Sequence, residues 1–250
     1  MISLGDPIAS NAVLAALQIG EEDNIIAIKE TPNADSNFVI THLIKKIIYE
    51  KKRLCLVNFH NTLDHYQNIG KKLGYDLLKG VDEGIVKIIQ PIRDLLENID
   101  QEDKYLQENT ENIVKQLYLD IKDSLRVLKE NNKSVYLIID DLSHLHDLGV
   151  NINETLTFLH YCMNFIDDND VSVVFNNHVS SKLDEIISND LEYVADVHVE
   201  VSSLKTGMSQ DVTGLLTIKR KSDVKQYHYK AFDRGIKTFH PGESIYHLYN

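Results

Sequence analysis

Two aspartates, Asp140 and Asp141, close the apolar run VYLIIDD at residues 135–141, and two histidines, His144 and His146, follow in DDLSHLH. A carboxylate at the end of a buried strand is where many phosphate-handling enzymes orient magnesium, because a hard divalent cation takes oxygen ligands. Alone the signal is weak. Acids at strand ends also cap loops and helices, and no Ser/Thr of a phosphate loop stands opposite, so the structural reading is preferred. The histidines invite a metal site. Residues two apart do not share a helix face, however, and no third spaced ligand follows, so local structure is the expectation for them too.

The second candidate is the loop ETPNADSN, residues 30–37, which joins the apolar run IIAI at residues 25–28 to a segment with helical apolar spacing. Strand, loop and helix in that order form the frame of a phosphate cradle. Such a cradle needs converging backbone N–H groups, glycines for the turns, a lysine against the charge and a hydroxyl for magnesium. Here Pro32 removes an N–H, every residue carries a Cβ, and Glu30 and Asp35 bring negative charge. Like charges about 4 Å apart repel by ~1 kcal/mol in water and by several times that when desolvated. The loop therefore opposes a triphosphate, and Asp35 or Ser36 is expected to N-cap the following helix.

No GxSxG, HExxH or CxxC pattern occurs, so nucleophilic and zinc-hydrolase chemistry have no anchor. His160 and Cys162 are two apart on a helical segment and point in different directions. Cys55 and Cys162 each lie inside an apolar run and are expected to be buried free thiols. Basic residues gather late: Lys219, Arg220, Lys221, Lys225, Lys230, Arg234 and Lys237, with only Asp223 and Asp233 among them. Two readings stay open for this cluster, a solvated or edge-protecting strand surface and a contact to RNA or phosphate. Tyr227 and Tyr229 share one strand face, suited to stacking on bases and more commonly used in core or cross-strand packing.

The elements that would position these groups follow from periodicity. Residues 53–60 (RLCLVNFH) read as a second strand, 63–73 as a helix closed by Gly74, and 84–90 (GIVKIIQ) as a third strand. Ile113, Leu117, Ile121, Leu125 and Leu128 mark one stripe of a helix of about five turns. Residues 135–141 and 171–175 (VSVVF) read as strands buried on both faces, separated by a helix carrying Leu156, Leu159, Met163 and Ile166. Alternating strands and helices predict an α/β fold with a mostly parallel sheet and right-handed crossovers. From Tyr193 onward, YVADVHVEV, GLLTIKRK and KQYHYKAF predict antiparallel strands extending that sheet.

The 250 residues carry a net charge of −12, with 43% hydrophobic and 26% charged side chains. That is the composition of a globular chain, and it excludes a surface basic throughout. One domain over residues 1–250 is expected, with 1–20 as an N-terminal arm or helix. Residues 94–111, with seven acids against Lys104 alone, are expected to form an acidic, mobile loop. The first basic residue is Lys29, and no apolar stretch approaches the ~20 residues that span a bilayer. A cytoplasmic protein, with nuclear residence also open and no membrane partner, is the expectation.

Taken together, YLIIDDLSHLHDLGV (136–150), TLTFLHYC (155–162) and SLKTGMSQDVTGLLTI (203–218), with NFHNTLDHYQNIGKKLG (58–74) upstream, resemble the Elongator complex protein 6 family, the sixth subunit of the Elongator complex. The resemblance implies a RecA-like fold lacking the ATPase motifs, assembled with Elongator subunits four and five into a heterohexameric ring. That ring binds tRNA and supports modification of its wobble uridines. It further implies that residues 30–37 replace the phosphate loop, that VNFHNT lacks the catalytic glutamate of RecA-like ATPases, and that Asp140 is a vestige of their magnesium-linked acid. No enzyme activity, cofactor or metal is implied. Lys219, Arg220 and Lys221 are similar to elements that such rings insert into a neighbour's nucleotide site, which leaves a trans-acting contribution to ATPase activity as an alternative to tRNA contact. A RecA-paralogue adaptor in DNA repair is the remaining alternative.

Overall fold

The computed structural model describes residues 11–97, 110–130, 134–168, 170–205, 207, 209–221, 223–233 and 235–243. In chain order its elements are α1 (Ala12–Leu17), β1 (Ile25–Glu30), α2 (Asn37–Tyr49), β2 (Arg53–Asn58), α3 (Leu63–Leu73), α4 (Leu77–Asp82), β3 (Val86–Ile89), α5 (Pro91–Glu97), α6 (Thr110–Lys129), β4 (Val135–Asp140), α7 (His144–Asp147), α8 (Ile152–Met163), β5 (Val171–His178), α9 (Lys182–Val194), β6 (Val197–Ser202), β7 (Gly214–Arg220), β8 (Asp223–Phe232) and β9 (Gly235–Phe239).

The strands form one nine-stranded sheet in the order β3-β2-β4-β5-β1-β6-β7-β8-β9. Pairings from β3 through β6 are parallel, and those from β6 to β9 are antiparallel. The expected α/β arrangement, a mostly parallel sheet flanked by helices and extended by antiparallel strands in the last third, is the one observed. It is of the RecA-like type.

The period-2 pleat sends alternate residues of each central strand to opposite cores, which is why these strands are apolar throughout. On one face, Ile26 and Ile28 of β1 join Val39, Ile40, Leu43 and Ile44 of α2. On the other, Ala27 joins the α6 stripe of Leu117, Ile121, Leu125 and Leu128. Each fully buried leucine or isoleucine contributes roughly 1.5–3 kcal/mol, so the two faces together outweigh any single polar contact in holding the sheet. The short apolar run at 12–17 is a helix, with Val13 and Leu17 fully buried in the first core.

Helix ends are set by local chemistry. The Thr62 side chain accepts from the His65 N–H at the start of α3, and Gly74, at φ 88°, closes the helix in the left-handed region that favours glycine. Capping boxes start α8 (Asn151 with Glu154) and α9 (Ser181 with Asp184).

Some boundaries differ from expectation. β2 ends at Asn58, two residues early, where the Asn58 side-chain amide turns to the Asn61 carbonyl and starts the loop before α3. β3 is only Val86–Ile89, since Gly84 belongs to the turn that ends α4, where its N–H meets the Val81 carbonyl. Of the acidic region at 94–111, residues 94–97 end α5 and 110–111 begin α6. The rest, like 1–10 of the N-terminal arm, lies outside the described residues. No helix among the described residues is long and apolar enough to cross a membrane.

Candidate functional site

A cavity of about 610 Å³ opens at the carboxyl ends of the parallel strands, the edge at which α/β sheets hold their ligands. Its wall brings together the two candidate loops of the sequence: Glu30, Asp35 and Ser36 from the β1–α2 connection, and Asp140, Asp141, His144 and His146 from the end of β4.

The β1–α2 loop is an anion site filled from within. The Ser36 N–H donates to Glu30 Oε2 at 2.6 Å, and Ser36 Oγ lies 2.7 Å from the same oxygen. The Asn37 N–H, next along the helix start, donates to Asp35 Oδ1 at 2.9 Å. A helix N-terminus attracts anions through its free N–H groups and dipole. Here two carboxylates of the chain itself take those groups. The other oxygen of Glu30 lies 2.6 Å from Nδ1 of His178, its register partner at the end of β5. Of the two residues expected to cap this helix, Asp35 is the one whose side chain does so, by accepting the Asn37 N–H. Ser36 occupies the N-cap position without accepting a helix N–H, because its own donors are committed to Glu30.

Asp140 is the centre of a buried network. Tyr66 of α3 donates its hydroxyl to Oδ2, and Asn176 Nδ2 donates to Oδ1 at 2.7 Å. Asn176 Oδ1 in turn lies 3.0 Å from Ser36 Oγ, which links the β4 acid to the loop. Burial raises the Asp140 carboxyl above the ordinary aspartate value, against the lowering effect of those hydrogen bonds. Burial likewise pushes Tyr66 well above the ordinary phenol range, so it remains a donor. The peptide between Asp140 and Asp141 is cis. Asp141 Oδ1 accepts from the N–H groups of Ser143 (2.9 Å) and His178 (3.1 Å), and burial, with Asp140 adding to it, raises this carboxyl too.

His144 Nδ1 lies 2.8 Å from Asp147 Oδ2, and its ring stacks on His60 with centroids 5.0 Å apart. His146 Nδ1 lies 2.9 Å from the Val150 carbonyl. Among the described residues no group of three His, Cys, Asp or Glu side chains is arranged to hold a metal ion. Cys55 and Cys162 are both free and fully buried. Burial pushes the Cys55 thiol up to about 12, a value at which it is no nucleophile at neutral pH.

The basic candidates lie elsewhere. His198 pairs with Lys219 and Ala27 with His198, which sets Lys219, Arg220 and Lys221 toward the amino ends of the parallel strands. That level is on the order of 10 Å along the strands from Glu30, on the side away from the cavity. Lys219 Nζ donates to Glu192 Oε1 at 2.7 Å. Arg220 pairs with buried Asp23 and donates to the carbonyls of Leu17 (2.8 Å) and Gln18 (2.9 Å), so it caps the end of α1. Lys221 sits exposed in the β7–β8 turn and has no ion pair among the described residues. Arg234 lies outside the described residues. Tyr229 is buried against Phe38, with ring centroids 4.8 Å apart, and Tyr227 packs on the same core, so neither ring offers a free face to a base.

Sequence reasoning missed Tyr66, Asn176, His178 and Asp184. The strand at 171–175 runs on to His178, and the polar triplet Asn176-Asn177-His178 after an apolar run was the one available sign of a functional strand end. Asp184, also in the cavity wall, accepts from the N–H and hydroxyl of both Ser180 and Ser181 at 2.8–3.0 Å. Burial works against its ionisation, but these hydrogen bonds outweigh it and hold the carboxyl below the ordinary range.

Comparison with known proteins agrees with this architecture. The sequence profile of the family described as Elongation complex protein 6 matches residues 10–236. The chain belongs to that family. It is 26% identical to Elongator complex protein 6 of Drosophila melanogaster, over 94% of this chain and 98% of the relative. With the human protein of the same name identity is 24%, over 84% of this chain and 88% of the relative. Among solved structures, an uncharacterized protein from Pyrococcus horikoshii, crystallised with an unknown peptide, superposes with a TM-score of 0.61 at 11% identity, covering 88% of this chain and 94% of that one. That likeness concerns the fold.

Proposed function

We propose that the chain is a non-catalytic RecA-like subunit of a heterohexameric ring, formed with Elongator subunits four and five, that supports tRNA binding and wobble-uridine modification in the cytoplasm and also in the nucleus. The observation that carries the non-catalytic part is the Glu30 carboxylate seated on the Ser36 N–H and hydroxyl. A nucleotide phosphate entering there has to displace an intramolecular anion and meets a cavity wall with no lysine or arginine. Membership of the Elongator family supports the ring, because an Elongator subunit has other Elongator subunits as partners. With Lys219 and Arg220 engaged inside the chain, tRNA affinity is a property of the assembled ring rather than of this cluster.

Titration calorimetry of the isolated protein with Mg-ATP is expected to give no heat of binding, and micromolar affinity would refute the non-catalytic reading. Native mass spectrometry of the protein co-expressed with subunits four and five tests the ring, and recovery of the chain alone counts against it.

A further inference from the structure

The outer edge of the sheet carries a cavity whose charge is opposite to that of the chain. It holds about 430 Å³ between the start of α1, the later half of α2, the end of α3 and β9, the last strand in the sheet order. His42, Lys45, Lys72 and Lys237 line it and no aspartate or glutamate does, although the chain as a whole carries a net charge of −12. A lysine in the last turn of a helix, as Lys72 is, needs no ligand to explain it. Three lysines reaching one cavity from three separate elements do, because like charges gathered away from carboxylates repel. Lys45 and Lys72 have no ion pair among the described residues.

His42 supplies the other half of the site. It is only 3% exposed, and its Nδ1–H donates to the Phe38 carbonyl at 2.6 Å. Burial lowers its pKa against the raising effect of that bond, and Lys45 adds to the lowering, so the ring is neutral at neutral pH and Nε2 is an acceptor. Nε2 has no partner among the described residues and is not sealed from solvent, so it meets the cavity that the ring lines. The ligand that suits both parts offers anionic oxygens and, beside them, a hydroxyl donor.

We propose that this cavity holds a stretch of RNA backbone, with the lysines on its phosphates and His42 Nε2 accepting from a ribose 2′-hydroxyl. The proposal rests on the reading of the ring as a tRNA-binding assembly and names where on this chain the RNA would lie, at the α2–α3–β9 edge rather than at Lys219, Arg220 and Lys221. A lysine is a point charge that meets phosphate in any orientation. The 2′-hydroxyl is the group by which a protein tells RNA from DNA. Apart from His42 itself the cavity wall has no aromatic side chain on which a base could stack, so the contact is to the backbone, independent of sequence, and a mononucleotide gains little there. One such contact is weak. A ring that repeats it around a bound tRNA multiplies its effect through effective concentration.

The test uses the full chain at low salt with short fluorescein-labelled RNA and DNA strands of one sequence, binding read by anisotropy, and ribose 5-phosphate as unlabelled competitor. The wild-type chain is expected to bind RNA about threefold more tightly than DNA, the worth of one hydrogen bond. Lys45→Ala combined with Lys72→Ala is expected to weaken both strands about tenfold and to flatten the salt dependence of log K by about 1.4, two phosphate contacts at roughly 0.7 each. His42→Asn keeps a donor for the Phe38 carbonyl, removes the Nε2 acceptor and is expected to bring RNA down to the affinity of DNA. Lys72→Glu, on an exposed side chain, repeats the lysine test if the alanine pair melts early. Wild-type RNA affinity in the lysine variants, or equal affinity of the wild-type chain for RNA and DNA, overturns the proposal. So does ribose 5-phosphate that binds as tightly as the RNA strand, which assigns the cavity to a free sugar phosphate. Assembly with Elongator subunits four and five is scored on the same samples. Variants that assemble as wild type place any loss of RNA at this cavity, and a wild-type chain that fails to assemble refutes the ring while leaving the lysine and histidine results to decide the site.

Discussion

Replacement of Asp140 separates a structural acid from a metal-orienting one. Asp140→Ala removes the acceptor for both the Tyr66 hydroxyl and the Asn176 amide; Tyr66 is fully buried and Asn176 nearly so. Each buried donor left without a partner costs about 1–3 kcal/mol, so the variant is expected to lose about 2–6 kcal/mol, or roughly 4–24 °C in melting temperature for a chain of this size. Asp140→Asn keeps an acceptor for Asn176 and turns an amide toward Tyr66, whose hydroxyl can accept. It also removes a carboxylate that burial disfavours, and is expected to fall within about 1 kcal/mol of wild type on either side. The pH dependence has a definite sign. The folded-state pKa of Asp140 is raised, so the folded chain binds this proton more tightly, and stability falls as pH rises from the unfolded value of about 3.9 through the folded one. The advantage of D140N over wild type should therefore grow across that window and level off above it. Urea unfolding followed by circular dichroism at pH 4 to 8 measures all three curves. If D140A matches wild type within about 0.5 kcal/mol, or if D140N is as damaging as D140A, the buried network is not what holds this strand end.

Two further outcomes follow from the fold. Asp184→Ala removes four hydrogen bonds at the start of α9 and is expected to cost about 2–4 kcal/mol, since capping losses run near 1–2 kcal/mol and a charged acceptor adds to them. Because the folded Asp184 pKa is depressed, this contribution is present above the unfolded value of about 3.9 and is lost as pH falls through the folded one. Wild type and D184A should thus converge in acid, and a gap that persists at the acid end contradicts the assignment. Leu117→Ala, at a fully buried position of α6, is expected to cost about 2–5 kcal/mol in the same urea measurement. A loss below about 1 kcal/mol would show that α6 does not anchor its face of the sheet.

How much of this was legible beforehand depended on sequence distance. The continuous apolar run ending in Asp140-Asp141 gave β4 its place, and the α6 stripe gave its register, because both are local periodicities. The β1–α2 loop was legible as hostile to phosphate from Pro32, Glu30 and Asp35 alone. That Glu30 satisfies the helix start was not, since side chains six residues apart meet only once the loop has folded. The partners of Asp140 are 74 and 36 residues away, and His178 is 148 residues from Glu30. Nothing in the spacing marks such pairs. For the same reason Lys219 and Arg220 looked like a free basic cluster. Their partners, Glu192 in α9 and Asp23 ahead of β1, are 27 and 197 residues away, and only the folded chain brings them close.

Arg220 carries a consequence for how the chain is made. Its guanidinium caps α1 through the carbonyls of Leu17 and Gln18, and the Thr238 hydroxyl on β9 donates to the Ala12 carbonyl. Helix α1 thus finds these partners only among strands made 202–226 residues after it. Until those strands are made, Val13 and Leu17, fully buried in the folded protein, have no such strands to hold their helix in place. During synthesis α1 is an adhesive segment, and completing β7 to β9 is what retires it.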